Sequence, residues 1–139
     1  RLAAESAWLF PGYSRIGGSP DGGLSWTLPQ VVGYEKAMRF LLENKRVDAD
    51  EALALGLIGE VVPDHQFQAR FVEYCHSLTT ISPIAARLTK RVVREATKID
   101  IESQVRYELQ TIGTAFASED GKESRRAFLE RRTPKIQGR

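Results

Sequence analysis

The chain has 139 residues, a formal net charge of +2, 42% hydrophobic residues and 27% charged residues. These values suit one domain, or a large part of one, with a packed core and a charged surface. The apolar stretches are short and interrupted by charge, so we expect no membrane-spanning helix and no membrane partner. The first residues lack a Met, include Glu5 and contain no long apolar run. We therefore expect no secretory signal here and a true start further upstream.

The few cysteine and histidine residues limit which disulfides, metal sites and nucleophile pairs are possible. The single cysteine, Cys75, excludes an internal disulfide and favours a reducing, cytoplasmic location. His65 and His76 lack further ligands at metal-binding spacing, so we expect no metal site. Cys75 and His76 also lack a partner for a nucleophile pair, and we interpret both as structural.

The charge is concentrated near the end of the sequence. Lys122 to Arg139 carries a charge of +5, which leaves −3 for the remainder. Such a basic segment suits a phosphorylated small molecule, a membrane surface or nucleic acid. Because no series of aromatic side chains alternates with its basic residues as in a stacking platform, we expect no nucleic-acid partner.

Glycine and proline divide the first part of the chain into short elements. Residues 8–18 predict a strand and loop, and residues 19–24 predict a turn that opens a short helix at about 22–28. Pro29 and Gly33 then predict a break, followed by a helix over 34–43. Asp48 and Glu51 have capping-box spacing for a helix over 49–55, with Gly56 as its C-cap. Residues 58–62 predict a strand, which Pro63 stops.

Longer helices follow. Helical spacing of apolar residues predicts helices over 64–78 and 101–116, and two more that begin after Ser82 and Ser118, the latter reaching about Arg132. Strands and short helices thus precede long helices, which predicts an α/β layer finished by a helical region. One apolar stripe is too long for a lone exposed helix and predicts an interface between subunits. It consists of Val105, Leu109, Ile112 and Phe116.

Taken together, these segments resemble the crotonase superfamily, the enoyl-CoA hydratase/isomerase family, along nearly the whole chain. The resemblance lies in an ordered series of segments with matching spacings, not in any single motif. The series is Arg1–Ala7, Ile16–Pro29 with Gly33, Ala37-Met38, Leu41-Leu42, Ala49, Glu51-Ala52, Gly56–Ile58, Val61-Val62, Ser118–Asp120 and Ala127–Arg132 with Pro134.

The resemblance implies a crotonase-like (ClpP/crotonase) spiral core, of which this chain is expected to supply the C-terminal part. Residues 1–62 would complete the core and carry the active-site turn, and residues 63–139 would form a helical region for trimerisation and coenzyme A contact. The partners implied are an acyl-CoA thioester and further copies in a homotrimer or homohexamer. No separate cofactor is implied, because coenzyme A enters as the thioester of the substrate. The two backbone N–H groups that hold the thioester oxygen would lie before Arg1.

Two positions bear on the reaction. Tyr13 stands where family hydratases carry one of two catalytic glutamates, and a phenol with a reference pKa of about 10 is no carboxylate base. Asp21 stands where isomerases and chlorobenzoyl-CoA dehalogenases of the family carry an aspartate, as a proton-transfer base or as a nucleophile. From spacing alone, the N-cap of the following helix is the favoured interpretation of Asp21. Tyr13 is interpreted in the same way as a half-buried aromatic with its hydroxyl bonded nearby.

Four further residues resemble substrate-binding positions of the family. Gly22 permits close backbone approach, and Trp26 would wall the acyl pocket, although core packing is the alternative. Phe128 would pack on adenine and Arg131 would meet phosphate. The alternative for Phe128 is the core face of the last helix.

The resemblance therefore implies an acyl-CoA enzyme that shifts a double bond through a thioester enolate, with Asp21 as the base. Hydratase or haloaryl-CoA dehalogenase chemistry is the alternative within the family. A non-catalytic crotonase-fold binding protein is the alternative outside enzymology, because Tyr13 and Ser124 depart from the family pattern.

Overall fold

The computed structural model describes residues 1–139, which separate into two compact units, Arg1–Val72 and Glu73–Arg139. The elements of the first unit are β1 (Leu2–Ala4), β2 (Trp8–Leu9), a 3₁₀ turn (Tyr13–Ile16), α1 (Leu24–Val32), α2 (Tyr34–Glu43), β3 (Val47–Asp48), α3 (Ala49–Leu55) and β4 (Glu60–Val62). Helix α4 (Asp64–Thr79) contains the boundary between the units. The second unit adds α5 (Pro83–Glu95), α6 (Ile101–Ala117) and α7 (Glu119–Leu129). The predicted division at residue 62 separates an active-site core from a helical region by function. The boundary between the compact units does not test it, so it stays a prediction.

Two short strand pairs tie the first unit together. β1 pairs in parallel with β4, so that Leu2 faces Glu60 and Ala4 faces Val62. β2 pairs antiparallel with β3. The parallel pair joins residues 58 apart in sequence, and its register follows from no local signal. The buried apolar residues of this unit are mostly small: Leu28, Ala37, Val47, Ala49, Ala52 and Val62.

The helix predicted over 22–28 is later and longer than expected, because α1 runs through Pro29 to Val32. Pro29 has no N–H, so the helix loses the hydrogen bond to the carbonyl of Ser25. Ser25 is exposed, and water is available to that carbonyl. Gly33 then donates its N–H to the carbonyl of Pro29 at 2.8 Å and closes the last turn. The break is therefore at Gly33 alone.

Local capping signals are confirmed. The side chain of Asp48 accepts the Glu51 N–H at 2.9 Å, and Gly56 ends α3 in the left-handed conformation with φ of +83°. Ser82 and Ser118 cap α5 and α7 through their hydroxyls. These interactions span three residues, so sequence spacing alone identifies them.

The last helix ends three residues earlier than the predicted Arg132. Arg131 lies in the left-handed region with φ of +54°, and its N–H donates to the carbonyl of Phe128 at 3.2 Å. The N–H of Arg132 donates to the carbonyl of Ala127 at 3.0 Å. These two hydrogen bonds form a Schellman motif, which terminates a helix by reversing the chain.

Two acidic side chains of α7 hold the residues that follow it. The carboxylate of Asp120 is buried and accepts the N–H groups of Gln137 at 2.7 Å and Gly138 at 2.8 Å. The carboxylate of Glu123 accepts Arg132 Nη1 at 2.6 Å and the Lys135 N–H at 3.0 Å. Residues 133–139 are therefore fixed alongside α7, although they contain no regular element.

Helices α6 and α7 approach closely at Gly121. A Cβ added there would lie 2.1 Å from the carbonyl oxygen of Ala115 and 3.0 Å from Cα of Phe116, both in the backbone of α6. Because backbone atoms cannot move aside as a flexible side chain can, only glycine fits this position. Gly113, within α6, has no atom within 4 Å of the corresponding point.

We expect Gly121→Ala to lower the free energy of unfolding by about 1–3 kcal/mol, the usual cost of overpacking. Gly113→Ala is the control, and we expect it to raise stability by about 0.5–1 kcal/mol because alanine is favoured inside a helix. Denaturant unfolding of both variants measures the difference. Equal effects would show that the contact at Gly121 relaxes without cost.

Stability should also depend on the ionisation of Glu123. The guanidinium of Arg132, and then the Lys135 N–H, lower the pKa of Glu123 from 4.5 to about 2. Since the folded-state pKa lies below the unfolded value, this interaction stabilises the fold above about pH 4.5 and is lost as the pH falls towards about 2. We expect the denaturation midpoint of the wild type to fall across that window by more than that of Glu123→Gln. Parallel curves for the two proteins would contradict this linkage.

Candidate active site

The turn before α1 presents Asp21 through two successive left-handed glycines. Gly22 has φ of +58° and Gly23 has φ of +83°, and the Leu24 N–H donates to the carbonyl of Asp21 at 2.9 Å. Positive φ at both central residues is the pattern of a type I′ turn, which glycine adopts without steric cost. The glycines are thus required by the backbone, and an added Cβ on either would meet nothing within 4 Å.

Asp21 does not cap the helix that follows it. The N-cap of α1 is Gly23, and no side chain accepts a hydrogen bond from the first turn. The alternative interpretation of Asp21 as a simple helix cap is therefore wrong. Its exposed carboxylate is left available for another interaction.

That interaction is with Tyr13. The Tyr13 hydroxyl donates to Asp21 Oδ1 at 2.9 Å, across eight residues of sequence. The hydrogen bond to Asp21, assisted by partial burial and by the negative charge, raises the pKa of the phenol. Tyr13 accordingly remains a neutral donor near neutral pH. The structure brings together the two residues that the sequence singled out for catalysis. The phenol of Tyr13 serves as the hydrogen-bond donor to the carboxylate of Asp21.

The segment that carries Tyr13 is itself anchored. Gly12 precedes the 3₁₀ turn with φ of +75°, and its N–H donates to Asn44 Oδ1 at 2.9 Å. Asn44 is the C-cap of α2 and has φ of +52°. Sequence reasoning missed Asn44, because nothing in the sequence joins positions 32 residues apart. The only signal was asparagine's tolerance of the left-handed conformation at a helix end.

Trp26 lies in the first turn of α1, close in sequence to Asp21. Its side chain is 63% exposed, which argues against the interpretation that it packs in the core. An indole with this exposure beside the glycine turn offers an apolar surface to a ligand or to another part of the protein.

The second unit carries the other two predicted binding residues. Phe128 is 82% exposed, while its neighbour Ala127 is buried and forms the core face of α7. The alternative interpretation of Phe128 as a core residue is therefore wrong. Arg131 is exposed in the Schellman turn, and the ion pairs of that turn involve Arg132 instead. Sequence reasoning missed this division between adjacent arginines.

The remaining residues of reactive or metal-binding type do not form clusters. Cys75 and His76 are exposed on α4, so our interpretation of them as structural is not supported by burial. No group of three or more His, Cys, Asp or Glu side chains is arranged to hold a metal ion. None of the helices combines the length and apolar character needed to cross a membrane.

The apolar stripe predicted on α6 is exposed in the second unit. Val105 is 45% exposed, Leu109 66%, Ile112 49% and Phe116 47%. Together with residues of α5 they line a groove of about 550 Å³, whose α5 members include Leu88, Val92 and Val93. The helix thus presents this face to its surroundings instead of burying it within its own unit.

A family model described as enoyl-CoA hydratase/isomerase matches residues 1–139. A probable enoyl-CoA hydratase of Rhodobacter capsulatus is 33% identical over 138 residues, which make up 99% of this chain and 54% of that protein. The 4-chlorobenzoyl coenzyme A dehalogenase-1 of Arthrobacter is 31% identical over 111 residues, or 80% of this chain and 40% of the relative.

The solved structures agree with the sequence matches. The crystal structure of an enoyl-CoA hydratase from Bacillus anthracis superposes with a TM-score of 0.93 at 30% identity, covering 100% of this chain and 54% of that one. The chain thus spans about half the length of the relatives that it matches. A match of this extent fits a segment from either half, so the expected correspondence to the C-terminal half stays a prediction. The chain belongs to the enoyl-CoA hydratase/isomerase family, a family of enzymes, and has its crotonase-like α/β fold.

Proposed function

We propose that the whole protein converts an unsaturated acyl-CoA thioester, with Asp21 as the group that moves the proton. The observation that carries the proposal is the hydrogen bond from Tyr13 to Asp21 at 2.9 Å. It gives an exposed carboxylate a fixed orientation, while the helix behind it is capped without its help. A carboxylate held in this way, beside open space at Gly22, suits general base catalysis.

The reaction that we place first is a shift of the double bond. The carboxylate of Asp21 would remove a proton from a carbon of the acyl chain, leaving an enolate of the thioester, and return the proton to another carbon. One carboxylate is sufficient for this exchange. Stabilisation of the enolate oxygen requires hydrogen-bond donors placed where its charge develops. We expect the rest of the protein to supply those donors.

Hydration is the second candidate, and the comparisons favour it over isomerisation. Several relatives at 28–33% identity are named as enoyl-CoA or crotonyl-CoA hydratases. The match to the Arthrobacter dehalogenase keeps attack of a carboxylate on a haloaryl thioester as a third possibility. Tyr13 argues against the two-glutamate form of hydration, because it cannot serve as the second carboxylate.

Substrate contacts are proposed on both units. Gly22 and Trp26 would border the acyl chain, Phe128 would stack on adenine, and the guanidinium of Arg131 would meet a phosphate. Coenzyme A would enter only as part of the thioester, without a separate cofactor. A cytoplasmic location stays a prediction.

Assembly is proposed from the exposed apolar groove of the second unit. Four large apolar side chains of α6 in this groove are between 45% and 66% exposed. Such an apolar surface is unfavourable in water. A homotrimer or homohexamer would bury this face against further copies, as the resemblance implies.

In the whole protein we expect Asp21→Asn to lower turnover by about 10²–10⁴, the usual contribution of a general base. Asn retains an oxygen that can accept the Tyr13 hydrogen bond, and Asp21 does not cap α1, so the fold should survive. Turnover should be measured with β,γ-unsaturated, α,β-unsaturated and haloaryl thioesters in parallel, because each corresponds to one candidate reaction. Unchanged turnover on the active substrate would remove Asp21 from the mechanism. Binding of acyl-CoA without turnover of any thioester by the wild type would favour a non-catalytic role.

Tyr13→Phe provides the comparison, since it removes the donor to Asp21 and leaves the carboxylate in place. We expect a smaller loss of turnover than in Asp21→Asn. Tyr34→Phe is the matched control, because Tyr34 is 73% exposed and its hydroxyl makes no hydrogen bond to another residue in the structure. A loss in Tyr13→Phe that equals the loss in Asp21→Asn would place the phenol in the chemistry itself.

For assembly, we expect light scattering at micromolar concentration to show a trimer or a pair of trimers. Leu109→Glu should shift the protein towards smaller species, because it places a charge in the proposed interface. Gln110→Glu adds the same charge next to it on an exposed position outside the groove and should leave the assembly intact. A stable wild-type monomer would contradict the proposal.

A further inference from the structure

In the turn that ends α7, one of two adjacent arginines is fully paired and the other forms no ion pair. Arg132 Nε donates to Glu130 at 2.6 Å, and its Nη1 and Nη2 donate to Glu123 at 2.6 and 3.1 Å. All three of its nitrogens are therefore engaged. Arg131, one residue earlier, contributes to none of these pairs and is exposed.

Arg131 also occupies a backbone conformation that its side chain disfavours. Its φ is +54°, and the position after a helix end in a Schellman motif is one that glycine usually fills. The other positive-φ residues of the chain are seven glycines and Asn44. Backbone strain of this kind is concentrated at functional sites, so the exposed side chain of Arg131 is a candidate for a functional contact.

Glu123 connects this turn to the body of α7. Its carboxylate accepts both Arg132 Nη atoms and the N–H of Lys135, so it holds the chain on both sides of residues 133–134. Glu123 thus fixes the chain that follows Arg131, while the guanidinium of Arg131 itself forms no ion pair.

We propose that Glu123 is a positioning residue for acyl-CoA binding, which acts through Arg132 to hold the turn from which the guanidinium of Arg131 reaches a phosphate of the coenzyme A moiety. This inference rests on the proposed function. Glu123 contacts no ligand in this scheme. Its effect on affinity is exerted entirely through Arg131. A general contribution of Glu123 to folding would instead affect binding whether or not Arg131 is present.

The test is a double-mutant cycle in the whole protein, with coenzyme A affinity measured by calorimetry. Arg131→Gly is the appropriate truncation, because glycine accepts the left-handed backbone that alanine would strain. We expect Arg131→Gly to weaken binding roughly tenfold or more, as loss of a charged hydrogen bond does. Glu123→Gln should weaken it by a similar or smaller factor, and should weaken it no further when Arg131 is already glycine.

Two companion variants keep the outcome interpretable. Glu119→Gln removes another exposed carboxylate of α7, paired with Lys122 at 2.7 Å and distant in sequence from the turn, and should leave the affinity unchanged. Glu123→Asp retains the charge with a shorter reach and replaces Glu123→Gln in the cycle should the latter fail to fold. Thermal unfolding of each variant confirms that the binding measurements refer to folded protein.

The outcomes are distinct. Additive losses for Glu123→Gln and Arg131→Gly would overturn the positioning role, and so would an unchanged affinity in Arg131→Gly. Neither result would affect Asp21 or the proposed reaction. Failure of the wild type to bind coenzyme A or an acyl-CoA would instead count against the proposed function itself.

Discussion

The steric restriction on positive φ decides where several elements of this chain begin or end, including those on either side of the candidate site residues. Only glycine adopts that region freely, and an L-residue with a Cβ does so at a cost. Gly23 and Gly56 use it to start and stop helices in the first unit, and Arg131 uses it to end the last helix of the second. Because these positions reverse the chain abruptly, the side chains beside them project from turns. Asp21, next to Gly22, and Arg131 occupy such positions.

At Asp21 the glycine turn has a specific chemical consequence. A helix that began two residues earlier would have drawn the carboxylate onto its own N–H groups as a cap. With Gly23 as the N-cap, the carboxylate instead receives the Tyr13 hydroxyl. The pair then depends on two anchors, the glycine turn and the Gly12–Asn44 hydrogen bond that holds the segment of Tyr13. Catalytic groups need this kind of orientation by supporting contacts, since small displacements reduce rates strongly.

The second unit combines secure polar contacts with an exposed apolar face. Asp120 and Glu123 satisfy backbone N–H groups of the final residues, and Gly121 allows α6 and α7 to meet backbone to backbone. The large apolar side chains of α6 remain outside this packing. Hydrogen bonds and close helix contact therefore fix the unit internally, while a hydrophobic surface stays exposed on it.

The sequence by itself determined the features that depend on neighbours within three or four residues. Asp48, Ser82 and Ser118 were identified as caps because each carries its acceptor three residues before the N–H that it receives. The ordered series of motifs was also sufficient to indicate the family and its fold. The course of α1 through Pro29 was not predicted, since propensity marks proline as a break and only the exposure of Ser25 shows that the lost hydrogen bond is tolerable.

Tertiary structure alone decided the pairings between distant residues. Tyr13 and Asp21 are eight positions apart and Glu123 and Arg132 nine, spacings at which neither a helix nor a strand implies contact. Each pair meets because a left-handed turn lies between its members or beside one of them. The conformation of that turn follows from the balance of capping, packing and backbone sterics around it, which no local pattern of residues specifies.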